Sequence, residues 1–359
     1  MTVLAVQLIT PSACEDPMLP APKTVAELDA LISCPPSAVI ESVRRQPGRF
    51  AVLGAGGKMG FHITLMLQKA LEQAGRPDRV IAVSRFGESS RRRPFEDAGL
   101  EVISADLAEP EQVAALPDAE NVISLAAIKF GTSGRPDLLQ RINIETSRLV
   151  TDRYRDSRIS MLSTGCVYPF VTPASGGCTE DSPATAPGEY AQSRLAQEQI
   201  FAEASASNGT PVALVRLNYS IDLRYGVLLD IARKVWQRQP LDVTMGYANV
   251  IWQGDAVAHI IRSLEVAATP AVPLNITGPE ILSIRELAQT FGKRFGISPE
   301  ITGTESDTAW LNNAARSHQL FGTPQVSLNQ MVEWVASWVE CNGETYNKPT
   351  HFESRGDGY

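Results

Sequence analysis

Runs of four to seven mostly apolar residues, bounded by polar or turn-forming stretches, recur along the first two thirds of this 359-residue chain. Arg49–Leu53, Arg79–Val83, Glu101–Ala105, Asn121–Leu125, Ile159–Ser163 and Pro211–Leu217 read as buried strands, being too short for helices and rich in Val, Ile and Leu. Between them, apolar positions three and four apart predict helices over Phe61–Gln73, from about Pro136 to Tyr154, and from Tyr190 to about Ala204. A Pro- and Gly-rich loop occupies Pro169–Pro187. Strands that alternate with helices predict an α/β fold, a doubly wound parallel sheet covered on both faces.

Past Tyr219 the alternation loosens. Helices are expected over Val227–Gln237, Ala256–Val266 (with Asp255 as its cap), Ser283–Phe295 and Leu328–Val339, and short strands over Asn249–Trp252 and Pro273–Ile276. Ahead of the first strand, Thr24 and Glu27 have capping-box spacing and open a short helix. Pro35 and Pro36 break it, and Ala38–Arg45 suits a second. The chain thus divides into an N-terminal extension (1–47), an α/β domain (48–220, with a return segment at about 250–278), a smaller, mostly helical C-terminal lobe (221–249 and 279–342) and a polar, extended tail (343–359).

Composition narrows the class of function. Apolar residues make up 43% and charged residues 20%, which suits an ordinary buried core. A net charge of −8 argues against a nucleic-acid partner held through phosphate neutralisation. Cys14, Cys34, Cys166, Cys178 and Cys341 are odd in number and widely spaced, so free thiols in a reducing compartment are expected. His62, His259, His318 and His351 have no metal-ligand spacing, and no metal is expected. The first residues lack a basic, apolar leader, and no stretch reaches membrane-span length. A cytoplasmic protein without a membrane partner is the expectation.

The segment Gly54-Ala-Gly-Gly57-Lys-Met-Gly60 follows a predicted strand and opens a predicted helix. It fails the G-x-G-x-x-G pattern, because Met59 stands at the third glycine, but fits G-x-x-G-x-x-G at Gly54, Gly57 and Gly60. One glycine permits the tight turn, one lets backbone approach a pyrophosphate, and one lets helix and strand pack closely. The helix N-terminus then offers free N–H groups to phosphate. This is the pattern of a Rossmann dinucleotide-binding domain. The second strand ends Val83-Ser84-Arg85, with no acid to hold ribose hydroxyls before Glu88. Arg85, backed by Arg91, Arg92 and Arg93, favours NADP over NAD.

With Asp106-Leu107, Leu125-Ala126-Ala127, Asn143, Ser163-Thr164-Gly-Cys-Val167-Tyr168, Tyr190-x-x-x-Arg194, Arg216, Arg224-Tyr-Gly226, Trp252-x-x-Asp255 and Asn275-Ile-Thr-Gly278, the chain over residues 49–290 resembles the extended short-chain dehydrogenase/reductase family, in its NAD-dependent epimerase/dehydratase branch. The resemblance implies a cofactor site made by Gly54, Gly57, Lys58, Met59, Gly60, Ser84, Arg85, Leu125, Leu217 and Tyr190. It puts Asp106 and Leu107 near the adenine, Ala126 and Ala127 along the cofactor, Lys129 near its phosphates and Asn143 bracing the neighbouring helix. It also implies Thr164 as the hydrogen-bonding partner of the reacting oxygen, Tyr190 as acid/base, a sugar-like small-molecule substrate and a homodimer. Arg194 stands where the family has Lys, and would hold the ribose and stabilise the tyrosinate. Gly165-Cys166 replaces the Asp-Glu of the sugar-nucleotide 4,6-dehydratases, which disfavours that reaction. Cys166, Tyr219 and Trp252 are candidates for the substrate cleft.

The chemistry also follows from elementary arguments. Hydride transfer at a carbinol carbon needs a proton to leave its oxygen. A tyrosine does this near neutral pH only if its pKa falls by about 3 units, or about 4 kcal/mol. A cation about 5 Å away, at an effective dielectric of about 20, supplies about 3 kcal/mol. Positions i and i+4 share a helix face, so Tyr190 and Arg194 approach each other. Arg keeps the charge but is planar and does not readily give up a proton, so a proton path through residue 194 is in question. The expected function is an NAD(P)-dependent epimerase or dehydrogenase/reductase acting on a carbohydrate or sugar nucleotide. The alternative is a dinucleotide-binding regulatory or scaffold protein that has lost turnover.

Overall fold

The structure is a computed structural model, and it describes residues 19–127 and 140–355. Seven strands form one all-parallel sheet: β1 (Phe50–Leu53), β2 (Ile81–Ser84), β3 (Glu101–Ser104), β4 (Asn121–Ser124), β5 (Arg158–Thr164), β6 (Val212–Leu217) and β7 (Val272–Ile276). Their order is β3-β2-β1-β4-β5-β6-β7. It reverses between β1 and β4, so the chain leaves these two neighbours toward opposite faces and opens a crevice at their carboxyl ends. Leu53 lies beside both Val83 and Ser124, and Thr164 beside Leu217, so the functional loops start from one edge of the sheet.

Both faces are covered, which is why β1 and β4 are buried at every position. On one face lie α3 (Gly60–Gln73) and α9 (Gln253–Arg262), joined in one core by α2 (Ser37–Arg45). The other face carries α5 (Pro110–Ala114), α6 (Thr146–Arg153) and α7 (Glu189–Asn208), with Val113, Val150 and Phe201 in its core. α4 (Ser89–Asp97) packs by β3 at the sheet edge. A third core joins α8 (Val227–Trp236), α10 (Ile284–Phe295) and α12 (Leu328–Glu340) into a helical lobe, and α11 (Ala315–Phe321) leans on β7.

The N-terminal extension belongs to two of these cores. Leu28 and Ile32 of α1 (Val25–Ile32) pack into the lobe, while Val39, Ile40 and Val43 of α2 pack onto the sheet face. Arg76 ties α2 to the entry of β1 by donating to the carbonyls of Val43, Gln46 and Gly48 at 2.9, 2.6 and 2.6 Å. Asp29 of α1 accepts from Arg224 Nη2 at 2.7 Å and lies 2.8 Å from His62 Nε2 on α3. One carboxylate therefore links the extension, the sheet domain and the lobe.

Four expectations change. Cys34 is disulfide-bonded, so the five cysteines are not all thiols, whereas Cys166, Cys178 and Cys341 form no disulfide. Trp252 is 2% exposed, packs edge-on against Trp334 at 5.0 Å in the lobe core and does not border the cleft described below. The helix expected from Pro136 is described only from residue 140, where Gln140–Glu145 forms a π-helical turn running into α6. The stretch after Asn342 is irregular but docked: Phe352 is 1% exposed in the lobe core, and Asp230 Oδ2 accepts from both the N–H and the hydroxyl of Thr350. No helix among the described residues is long and apolar enough to cross a membrane.

Candidate active site

Two adjoining cavities, of about 310 and 620 Å³, run along the carboxyl edge of the sheet and share Gly54, Gly57, Leu125 and Ala127. Both volumes fall within the range of ligand pockets. The glycine turn forms the floor between them. Gly54 has φ +81°, and a Cβ there would sit 3.0 Å from the Ala126 nitrogen. A Cβ on Gly60 would meet the Ala55 carbonyl oxygen at 2.1 Å, and one on Gly56 the Ser84 hydroxyl at 2.7 Å. These residues therefore let the start of α3 lie against β1 and the β4 turn, and they aim the helix N-terminus along the trench.

The larger cavity is bordered by Ser84, Arg85, Arg91, Asp106, Leu107 and Ala126. Arg92 and Arg93 instead pair with Glu96 and Asp97 on their own helix, as a solvated helix face does. The smaller cavity is bordered by Lys58, Met59, Gly60, Thr164, Cys166, Tyr190, Arg194, Leu217 and Tyr219. Lys129 lies outside the described residues. Among those described, no His, Cys, Asp and Glu cluster has the geometry to hold a metal.

Thr164 ends strand β5 and caps the next turn, accepting the Cys166 N–H at 3.2 Å. Tyr190 sits in the first turn of α7, entered through Gly188 at φ +88°. Both side chains line the same smaller cavity. Burial pushes the Tyr190 phenol above the usual tyrosine range, while the Arg194 cation and, to a lesser degree, the Thr164 hydroxyl pull it back down. Arg194 is 3% exposed; Nη1 donates to Gln197 Oε1 and Nη2 to the Leu162 carbonyl. Its Nε has no partner among the described residues. Asn143 Nδ2 donates to Ser193 Oγ at 3.1 Å, linking the π-helical turn to α7.

Beneath Thr164 lies a buried network. Glu198 accepts Arg216 through both oxygens and Ser163 Oγ at 2.5 Å, and Arg216 Nη1 donates to the Tyr168 hydroxyl at 2.7 Å. It fixes the end of β5 to α7, and with it the Thr164–Tyr190 pair.

The cleft also holds residues to which the sequence had given no role. Tyr225 borders it under the Lys58 ammonium, 4.0 Å from the ring centroid. Asn218, Val227 and, from the tail, Thr350 complete this wall. Tyr225 lay within the quoted Arg224-Tyr-Gly226. Thr350 had no local signal at all. Gln197 was legible as the i+3 neighbour of Arg194 on one helix face.

The trench fits a dinucleotide on two structural grounds: side chains are excluded at Gly54 and Gly56, and the buried donor Arg194 Nε has no partner among the described residues. Residues 50–220 match the NAD dependent epimerase/dehydratase family. No curated protein sequence matches the chain. Among solved structures, MoeE5 in complex with UDP-glucose and NAD shares 18% identity over 82% of this chain and 99% of its own, with a TM-score of 0.65. A double mutant of DesIV, the dTDP-glucose 4,6-dehydratase of Streptomyces venezuelae, with NAD bound, shares 19% over 81% and 97%, at a TM-score of 0.69. UDP-glucuronic acid 4-epimerase from Bacillus cereus, in complex with UDP-glucuronic acid and NAD, shares 17% over 81% and 99%, at 0.65. At these identities the likeness is one of fold.

Proposed function

From the premise that residues 50–220 carry the core of the NAD dependent epimerase/dehydratase family, we propose that this protein is a nicotinamide-dinucleotide enzyme that oxidises or reduces a hydroxyl/carbonyl carbon of a sugar-like substrate, as an epimerase or a dehydrogenase/reductase. The observation that carries the reading is that Thr164 and Tyr190 line one cavity at the end of the trench that begins at the glycine turn. Gly54, Gly57 and Gly60 would receive the pyrophosphate, Asp106 and Leu107 the adenine end, and Leu125, Ala126, Ala127 and Leu217 the length of the cofactor. When bound, the dinucleotide supplies the hydride acceptor or donor.

The chain's own residues manage the proton. Thr164 orients the substrate oxygen, and the Tyr190 oxygen takes its proton or returns it. Arg194 favours the tyrosinate by charge alone, because a guanidinium holds its protons throughout the working pH range. Gly165 and Cys166 bring no second carboxylate to the centre, which supports epimerisation or simple redox over dehydration. Tyr219, Tyr225 and Cys166 would face the substrate.

The solved neighbours are named with NAD, so they lend no support to NADP as the preferred form. Arg85 and Arg91 on the rim of the adenine-side cavity, with no acid at the end of β2, support room for a 2′-phosphate. Homodimer assembly and a cytoplasmic site remain part of the proposal.

A second reading, a dinucleotide-binding regulator without turnover, draws on the anchoring of Arg194 to Leu162 and Gln197. Titration of the purified chain with NADH and NADPH, followed by turnover of a sugar and sugar-nucleotide panel with Tyr190→Phe beside the parent, separates the readings. Binding with turnover that Tyr190→Phe cuts by about 100-fold or more supports the enzyme. Binding without turnover supports the regulator, and no binding of either coenzyme overturns both.

A further inference from the structure

Arg194 is an awkward residue at the bottom of this cleft. A guanidinium is long, planar and rich in donors, and at 3% exposure each nitrogen needs a partner or remains costly. The structure shows how two of its three nitrogens are satisfied. Nη2 donates to the Leu162 carbonyl of β5, and Nη1 donates to Gln197 Oε1, one turn along α7.

The Gln197 amide is held in one sense. Its Nε2 donates to the Ala126 carbonyl at 3.2 Å and to Ser147 Oγ at 2.9 Å. Ser147 in turn donates to the Asn143 carbonyl at 2.7 Å, so its oxygen is left to accept. A carbonyl only accepts and a guanidinium only donates, so the amide has one orientation that satisfies all its neighbours. Gln197 is 1% exposed. The chain of bonds runs from the π-helical turn, through the Ala126 turn that borders the cofactor trench, to Arg194.

Nε is the guanidinium nitrogen left without a partner among the described residues. Arg194 borders the cleft beside Tyr190. We propose that Gln197 is a positioning residue: it clamps the terminal nitrogens of Arg194 to the protein and leaves Nε–H as the donor offered to a ribose hydroxyl of the dinucleotide. This deepens the nicotinamide-dinucleotide reading and rests on it. Arg194 then acts as a fixed charge with one buried donor left for the ligand. The protein compensates for the missing lysine with a glutamine three residues along the same helix.

The test is a pair of substitutions in two backgrounds, read by NADH and NADPH fluorescence titration and by the pH at which Tyr190 ionises, taken as the absorbance difference between each chain and its Tyr190→Phe counterpart. Gln197→Met keeps the volume and removes both polar ends. In the Arg194 chain it is expected to weaken dinucleotide binding about tenfold, the worth of one charge-assisted hydrogen bond, and to raise the ionisation pH of Tyr190. In an Arg194→Lys chain, which has no second nitrogen to clamp, the same substitution is expected to change neither. Ser147→Ala, a milder change that only loosens the amide, is expected to act in the same direction and more weakly, and decides the matter if Gln197→Met does not fold. Equal losses in both backgrounds would show a merely structural role and overturn the proposal, as would unchanged affinity in the Arg194 chain. Those outcomes leave the dinucleotide reading intact, whereas failure of the parent chain to bind either coenzyme removes both.

Discussion

Glu198→Ala tests whether the scaffold under the Thr164–Tyr190 pair is held by a buried ion pair. Glu198 and Arg216 have side chains 3% and 9% exposed and meet at 2.7 Å, with two further contacts at 3.1 Å. At that distance and an effective dielectric of about 20, the gross attraction is about 6 kcal/mol. Desolvation of both groups cancels much of it, so the pair's net worth is small. Removing one partner is different, because it strands the other charge in the interior. Glu198→Ala leaves Arg216 with only the Tyr168 hydroxyl and leaves Ser163 without its acceptor, for an expected loss of about 3–5 kcal/mol. Urea unfolding followed by circular dichroism and tryptophan fluorescence reads this as a lower midpoint at unchanged slope. The double variant Glu198→Met/Arg216→Met is expected to lose far less than the sum of the two single losses, since it removes both charges together. A loss below about 1 kcal/mol for Glu198→Ala, the range of an exposed pair, would refute the reasoning.

Three further outcomes are expected. Phe352→Ala should cost about 3–5 kcal/mol in urea unfolding, because the ring is 1% exposed in the lobe core, whereas a free tail would show no change. Asp255 caps the Gln325 and Val326 N–H groups at 3.1 and 3.0 Å, and burial pushes its carboxyl up to about 6. With the folded pKa above the unfolded one, its contribution is full below about pH 4 and is lost as pH rises to about 6, by up to about 3 kcal/mol. Asp255→Asn should flatten that part of the stability–pH profile, and an unchanged profile in the variant would rule the group out. Arg85→Ala should weaken NADPH at least about tenfold while leaving NADH within about twofold, the signature of a 2′-phosphate contact; equal effects on both coenzymes would remove Arg85 from that role.

Much of this molecule was legible in its sequence, for local reasons. Strand and helix periodicities set the α/β alternation, and handedness and connection rules leave few ways to assemble it. Glycine at 54 and 60, two of the three positions of the motif read from the sequence, is required by backbone conformation and close contact, whereas a Cβ at Gly57 would come only to 3.3 Å from the Gly54 carbonyl oxygen and the tighter contact falls at Gly56. Tyr190 and Arg194 share a helix face by arithmetic. Tertiary structure decided what depends on residues far apart in the chain. Trp252 reads as a cleft aromatic until Trp334 arrives to bury it. Thr350 joins the cleft wall because Asp230, 120 residues earlier, accepts its N–H and hydroxyl. The orientation of Arg194 is set by Leu162, Gln197, Ala126 and Ser147, contributed by four separate stretches of chain. Side-chain period and backbone torsion are properties of neighbours in sequence, whereas burial and hydrogen-bond satisfaction are settled only when distant segments meet.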